Sequence, residues 1–340
     1  MYKLRLPLAA GFLAVFLMAN SIAAEVNVYS ARKEQLIKPL LDKFTAKTGI
    51  KTQLITADAD KLLTRMKSEG QNTPADVFIT TDAGRLHRAK EAGLLQAIDS
   101  AVIEQTVAPH LRDVDKQWVG ISQRARVIFY AKDRVKPAEL STYEDLANAK
   151  WKKRICIRGS GNIYNQSLVA SMIATNGKQA TELWANGLVA NLARAPKGGD
   201  RDQIKAAAAG QCDIAIANTY YYGTMLADEK DVEQLAAAQK MGLFWPNQSG
   251  RGAHVNVSGA GISRFSKNKD NAIKLIEFMV SAEAQEWYAR VNHEFPVRED
   301  AATSGLVASW GRFKSDVLNL SRLGELNIEA VKIMDRAGWQ

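Results

Sequence analysis

The chain has 340 residues, of which 46% are hydrophobic and 24% charged, and it carries a formal net charge of +9. This composition is ordinary for a globular protein, and the length favours two domains. The basic residues are scattered and form no run interleaved with aromatic residues, which argues against nucleic acid as a partner. A moderately basic surface better suits an anion, an acidic partner or a membrane surface.

Residues 1–24 have the features of a secretory signal peptide. Lys3 and Arg5 precede a long apolar stretch, and small residues follow it up to the expected cleavage after Ala23 or Ala24. Cleavage removes those two basic residues and no acid, so the net charge falls from +9 to +7. No later stretch is apolar over the roughly 18 residues that are needed to span a bilayer. We therefore expect an exported, soluble mature protein.

The first part of the mature chain alternates strand and helix patterns. Three strands are predicted at Glu25–Ser30, Ile50–Ile55 and Pro74–Thr81. Helical spacing of apolar residues follows each strand, and Gly49 and Gly70 end the first two helices. A βαβαβα order predicts a mostly parallel sheet with helices on both faces.

The rest of the chain continues the α/β pattern. Trp118–Ile121 and Arg126–Lys132 are predicted as two strands separated by residues 123–125, where the chain passes into another lobe. Beyond them, the predicted elements are a helix opened by a Ser141–Glu144 capping box, a strand at 154, helices from 163, around 183–192 and from 202, a strand at 213, a return at 252–258, helices at 271–279 and 283–291, and outer helices within 310–338.

This order favours two α/β lobes joined by strand crossings, with a cleft between them, over separate domains on a linker. We assign residues 25–124 and 249–298 to lobe 1, and residues 125–248 and 299–340 to lobe 2. Such lobes close on a ligand by hinge motion.

Two segments place tyrosines at the same kind of position. A strand-like run at 154–158 leads through a turn to Tyr164 at a helix start, and the run at 212–218 leads to Tyr220, Tyr221 and Tyr222. Open α/β sheets bind ligands outside the carboxyl ends of their strands, near helix N-termini. A single tyrosine is usually a packing residue, but the paired arrangement predicts that the phenols converge if the two strands are neighbours.

The chain has two cysteines, each eight residues before a tyrosine: Cys156 before Tyr164, and Cys212 before Tyr220. Two cysteines in an exported protein most simply form a disulfide bond, which here would tie the two tyrosine-bearing strands together. The alternative role as thiolate metal ligands needs a softer ion and more cysteines.

Adjacent phenols suit a hard, highly charged cation. A phenol has an ordinary pKa near 10, so the tyrosines are neutral at neutral pH unless a cation favours the phenolate. Phenolate is a basic anionic oxygen ligand, and Fe(3+) is the obvious candidate ion. Affinity for iron should then fall on acidification, because protons compete for the ligands.

At these residues the chain resembles the bacterial periplasmic ferric-ion-binding proteins that supply iron to an ABC importer, in the class that holds iron with tyrosines of one lobe. The segments that carry the resemblance are 162–167, 217–221, 74–77 with 82–86, and 254–259. The resemblance implies a two-lobed type II periplasmic binding protein, with Tyr164, Tyr220 and Tyr221 as the iron ligands. It also implies a monomer located in the periplasm, whose partners are ferric ion and the permease and ATPase subunits of the importer.

The first lobe departs from the pattern of several members. Where some relatives carry further ligands after the first strand, this chain has Lys33 and Glu34. Glu34 is an alternative oxygen donor, although a solvated glutamate at a helix start is the competing interpretation. The resemblance implies that a small anion such as carbonate, or water, fills the remaining positions, with Arg32 and Arg124 as the residues that hold the anion. The loop after the third strand lacks the glutamate ligand of another branch.

Other aromatic and titratable residues are predicted to be structural. Tyr222 lies about 100° further round the helix than Tyr221 and is expected to pack. The four histidines, His87, His110, His254 and His293, show no metal-binding spacing.

Two rival functions remain open. In the first, the tyrosines form an aromatic box for an organic cation, a polyamine or a sugar. The second is an enzyme, and it is disfavoured because the sequence has no phosphate-binding loop and no metalloprotease or serine hydrolase motif. Without a phosphate loop or membrane spans, the chain is predicted to capture and deliver its ligand while other subunits supply the transport energy.

Overall fold

The structure is a computed structural model that describes residues 24–301, 303 and 305–340. The predicted signal peptide therefore lies outside the described residues, apart from Ala24. Within the described part of the chain, no helix is both long enough and apolar enough to cross a membrane.

The described strands form one sheet with the order β2-β1-β3-β9-β5-β7-β6, in which β4 also pairs with β9 and β8 with β5. The strands are β1 (Glu25–Ser30), β2 (Lys51–Thr56), β3 (Val77–Thr81), β4 (Leu95–Gln96), β5 (Val119–Ala131), β6 (Ile155–Cys156), β7 (Ile214–Asn218), β8 (Met241–Phe244) and β9 (Val255–Ser263). Strand β1 is parallel to β2 and β3, and β6 is parallel to β7, whereas β5 and β9 run antiparallel to their neighbours. The predicted α/β class is confirmed, and the sheet is mixed where the sequence pattern predicted mostly parallel strands.

Strand β5 corrects one sequence prediction. The two strands predicted on either side of residues 123–125 form one continuous strand, which has a register shift against β9 between Gly120 and Ser122. Up to Ala125 this strand pairs with β9, and from Arg126 onward it pairs with β7. Strand β5 thus changes its pairing partner at the point where the chain was predicted to pass between lobes. The lobe boundaries themselves stay a prediction.

Helices alternate with these strands along the chain. They are α1 (Lys38–Thr48), α2 (Ala59–Glu69), α3 (Ala83–Glu91), α4 (Ala101–Thr106), α5 (Ile163–Asn176), α6 (Lys178–Ala190), α7 (Asp200–Ala208), α8 (Thr219–Ala227), α9 (Val232–Gln239), α10 (Lys269–Met279), α11 (Ala282–Trp287), α12 (Gly305–Ser309), α13 (Ser321–Glu325) and α14 (Asn327–Arg336). A π-helical turn, Tyr288–Asn292, follows α11.

Two helix predictions were wrong in detail. The helix expected after the capping box at 141–144 is only a 3₁₀ turn, Glu144–Ala147, and the hydroxyl of Thr142 accepts from the amide of Asp145 in place of a Ser141 cap. In the region 310–338, residues 314–316 are extended rather than helical, because their backbone pairs with Ala253. Helices begin there only at Ser321.

The predicted disulfide bond between Cys156 and Cys212 is confirmed, with Cα atoms 6.0 Å apart. Both cysteines are buried in a small apolar cluster with Phe129, Ala215 and Met225. The bridge is possible because β6 and β7 are adjacent parallel strands, so a residue at the end of β6 lies beside the start of β7.

Candidate metal centre

The sequence around Tyr164 makes a tight turn from a short strand into a helix. Strand β6 ends at Cys156, and α5 begins at Ile163. The side-chain oxygen of Asn162 accepts from the amide of Tyr164 at 3.1 Å, as an N-cap does. Asn165 holds the turn from inside by donating to the carbonyls of Arg158 and Gly159 at 2.8 and 3.2 Å. Tyr164 is therefore held at the first turn of α5.

Tyr220 and Tyr221 lie in the first turn of α8, which follows β7 directly. Because β6 and β7 are neighbouring parallel strands, their carboxyl ends meet at one edge of the sheet. The Tyr220 hydroxyl donates to the Tyr164 hydroxyl at 3.2 Å. The rings of Tyr220 and Tyr221 are 4.3 Å apart at an angle of 35°. The structure thus brings together the three predicted ligands on two helix starts.

Tyr222 turns away from this group, as predicted. Its ring packs 4.8 Å from the ring of Phe129, and its hydroxyl donates to the carbonyl of Met241 at 2.9 Å. Burial raises the pKa of Tyr222 to about 12, with a smaller contribution from Tyr130. Its prediction as a packing residue is confirmed.

Arg124 places a positive charge beside Tyr164. It is 1% exposed, and its guanidinium carbon lies 5.7 Å from the centre of the Tyr164 ring. None of its three side-chain nitrogens has a hydrogen-bond partner among the described residues, and its nearest acid, Asp82, is 4.0 Å away. A buried guanidinium without partners is costly, so this side of the site is suited to an anion.

The three phenols differ in how readily they ionise. Burial raises the pKa of Tyr164, but the charge of Arg124, hydrogen bonds with Thr81 and Tyr220 and the charge of Arg85 outweigh burial and hold the pKa below its ordinary value.

For Tyr220 and Tyr221 burial dominates. Burial and the neighbouring Tyr164 phenol raise the pKa of Tyr220 well above its ordinary value, and they also raise the pKa of Tyr221. Such phenols ionise at neutral pH only next to a strongly charged cation.

Arg32 is also buried, but it has a carboxylate partner. Its Nη1 lies 3.0 Å from Glu294 and donates to the hydroxyl of Ser258 at 2.6 Å. Glu294 in turn accepts from the hydroxyl of Ser122 at 2.6 Å. The charge of Arg32 is therefore balanced within the protein. Glu34 begins the 3₁₀ turn Glu34–Leu36, and its side chain is exposed.

Sequence reasoning missed residues whose partners are distant in the chain. The hydroxyl of Thr81 lies 3.4 Å from that of Tyr164, and the buried carboxylate of Asp82 accepts from Ser167 at 2.7 Å. Thr81 ends β3 and Asp82 follows it, in a segment where the sequence analysis assigned no ligand. Glu294 gave no local signal, because its partner Arg32 is 262 residues away.

The donor set identifies the chemistry that the site supports. Among the described residues, no group of three or more His, Cys, Asp or Glu side chains is arranged to hold a metal. The phenol oxygens of Tyr164 and Tyr220 are already close enough to share one ion. Phenolate oxygens next to a guanidinium without hydrogen-bond partners suit a hard cation that is bound together with an anion.

The sequence profile of the bacterial extracellular solute-binding proteins matches residues 40–315. Iron uptake protein A1 of Synechocystis sp. is 50% identical over 316 residues, which cover 93% of this chain and 88% of that protein.

Two solved structures are similar over nearly their whole length. A Trichodesmium protein (IdiA, FutA) in complex with iron and citrate ligands is 50% identical with a TM-score of 0.91, covering 93% of this chain and 100% of that one. Ferric iron-binding protein A of Mannheimia haemolytica, in an open conformation, is 45% identical with a TM-score of 0.88, and the match covers 93% of this chain and 99% of that one. This likeness confirms the predicted type II periplasmic binding protein fold, and the chain belongs to the bacterial extracellular solute-binding protein family.

Proposed function

We propose that this protein captures ferric ion in the periplasm through the phenolates of Tyr164, Tyr220 and Tyr221 and delivers it to an ABC importer. The observation that carries the proposal is the 3.2 Å separation of the Tyr164 and Tyr220 oxygens beside the unpartnered Arg124. Two oxygens at this distance can both bind the same small, hard cation at about 2 Å without moving apart. Relatives with 50% and 45% identity that are named for iron uptake and ferric iron binding support the choice of ion.

A synergistic anion such as carbonate completes the proposed site at Arg124. The free donors of this guanidinium match a small planar oxyanion, which would also balance the charge that iron brings into a buried site. Arg32 already has Glu294 as its partner, and Glu34 faces solvent, so neither takes part in this conformation. An iron complex with citrate in the Trichodesmium relative supports a bound anion at such a site.

The two proposed lobes contact each other beside the proposed iron ligand Tyr164. Thr81 and Asp82 fall in lobe 1 as predicted from the sequence, and they contact Tyr164 and Ser167 of lobe 2. Ser167 lies three residues after Tyr164, on the same face of α5. In the proposed mechanism, lobe closure brings these groups against the metal centre and excludes water. The bound ion then passes to the permease and ATPase subunits with no chemical change by this monomeric chain.

The packing of the rings disfavours the rival aromatic box. The guanidinium carbons of Arg124 and Arg158 each lie 5.7 Å from the centre of the Tyr164 ring, and that of Arg201 lies 5.7 Å from the centre of the Tyr221 ring. These arginines occupy the ring contacts that an organic cation or polyamine would need.

The test is a visible-absorbance titration of the mature protein with a ferric salt, with and without bicarbonate. We expect a red-orange band from phenolate-to-iron charge transfer, strengthened by bicarbonate. In the double variant Tyr220→Phe/Tyr221→Phe, affinity should fall by more than about 100-fold, since even residues that only support a metal ligand contribute about 10–100-fold.

The matched control is Tyr222→Phe, which removes the third adjacent hydroxyl but leaves the phenols of the site in place. It should bind iron as the wild type does. A colourless wild type, or tight iron binding by the double variant, would refute the assignment.

A further inference from the structure

We propose that Arg126 is a positioning residue of the metal centre, whose guanidinium holds the two tyrosine-bearing helix starts at the spacing that iron requires. The inference rests on the proposed function and adds to it a residue outside the ligand set. Arg126 lies in β5 at the point where the strand changes partners, and it is 2% exposed.

The two arms of the guanidinium reach one helix start each. Nη2 donates to the side-chain oxygen of Asn165 at 2.6 Å, and Nη1 donates to that of Asn218 at 3.1 Å. Asn165 directly follows Tyr164, and Asn218 lies two residues before Tyr220. Because a guanidinium is planar and rigid, it sets the distance between the two asparagines and hence between the two segments.

The hydrogen bond between Asn218 and Arg126 takes the place of an ordinary helix N-cap hydrogen bond. It occupies the N-cap position of α8, where an asparagine oxygen normally accepts from a helix amide. Here the side chain makes no such cap, and its oxygen faces Arg126 instead. The helix gives up a local hydrogen bond, and the gain is a link to a residue 92 positions away in the sequence.

A buried carboxylate completes the arrangement. Asp200 lies 3.1 Å from Nη1 of Arg126 and also accepts from the amide of Asn218 at 2.9 Å. Neither side chain of this ion pair is more than 1% exposed. A buried ion pair adds little stability compared with apolar packing, but its hydrogen bonds specify geometry. Both Nη atoms of Arg126 have acceptors, whereas its Nε has none among the described residues. The pair therefore fits a role in orienting the phenols better than a role in stabilising the sheet.

The test is Arg126→Lys in the mature protein. Lysine keeps the positive charge opposite Asp200 but has a single nitrogen in place of the rigid fork. We expect this variant still to bind ferric ion, with a shifted charge-transfer band. Iron should also be lost to a competing chelator about ten-fold faster, the effect of roughly one hydrogen bond to a charged group.

Arg251→Lys is the matched control. Arg251 forms a similar, mostly buried pair with Asp316 at 3.1 Å, and it contacts α5 near its far end at Ser171 and Thr175. It should lose comparable stability yet keep the wild-type band and release rate. If it shows the same shift as Arg126→Lys, the effect is general loosening of α5 and the inference is wrong.

Asn218→Ala provides a second route if Arg126→Lys does not fold. It removes one arm of the bridge without deleting a helix cap, so the band and the release rate should change while the fold survives. Wild-type spectra and release rates in both variants would overturn the positioning role alone. A wild type without any phenolate band would instead overturn the proposed function, and the inference with it.

Discussion

Removing the disulfide bond should destabilise the protein strongly while leaving the metal centre assembled. The bond between Cys156 and Cys212 closes a loop with a sequence separation of 56 residues. In the chain-entropy model, losing a crosslink of this span costs about 4 kcal/mol at 25 °C. That is a large fraction of the roughly 5–15 kcal/mol by which natural domains are stable. The double variant Cys156→Ala/Cys212→Ala should lose about this much free energy of unfolding.

The assay is urea unfolding at 25 °C, followed by tryptophan fluorescence. Wild-type protein reduced with a thiol serves as a control, because it loses the crosslink but keeps both buried sulfur atoms. Agreement between the reduced wild type and the double variant assigns the loss to the crosslink, and any excess in the variant measures lost packing. The slope of the free energy against urea should also rise, since the unfolded chain becomes more extended.

Iron binding by the double variant separates stability from site geometry. Strands β6 and β7 remain paired at Ile155 and Ile214, and Arg126 still bridges the two helix starts. We therefore expect the ferric charge-transfer band to persist at 25 °C. A stability loss below about 1 kcal/mol would refute the crosslink reasoning. Loss of the charge-transfer band in folded protein would show that the disulfide bond itself holds the phenols in place.

Two further predictions concern pH and packing at the same site. Ferric affinity, measured against a chelator at several pH values, should rise with pH, because iron must displace protons from Tyr220 and Tyr221, whose pKa values are raised by burial and by neighbouring phenols. An affinity that does not change with pH would contradict phenolate ligation. Gly223→Ala should cost about 1–3 kcal/mol, since its new Cβ would lie 2.6 Å from the Cβ of His293. Gly161→Ala, with no atom within 4 Å of a new Cβ, is the neutral control in the same unfolding assay.

Much of the site could be predicted from the sequence because its signals are local. A strand that ends in a tyrosine-bearing helix start is visible within about ten residues, and two such segments predicted that the three tyrosines meet. The two cysteines allowed only one pairing within the chain, and that pairing placed the two strands together. The packing role of Tyr222 followed from helical geometry alone.

Only the tertiary structure decided which charges face the phenols. Arg32 and Arg124 appear equivalent in the sequence, yet Arg32 forms a close ion pair with Glu294, whereas Arg124 has no hydrogen-bond partner among the described residues and lies 4.0 Å from Asp82. Arg126 carried no signal at all, although it bridges both helix starts. The physical reason is that a local pattern reports the conformation of its own segment. The partner of a buried charge is set by strand pairing between segments that are tens to hundreds of residues apart.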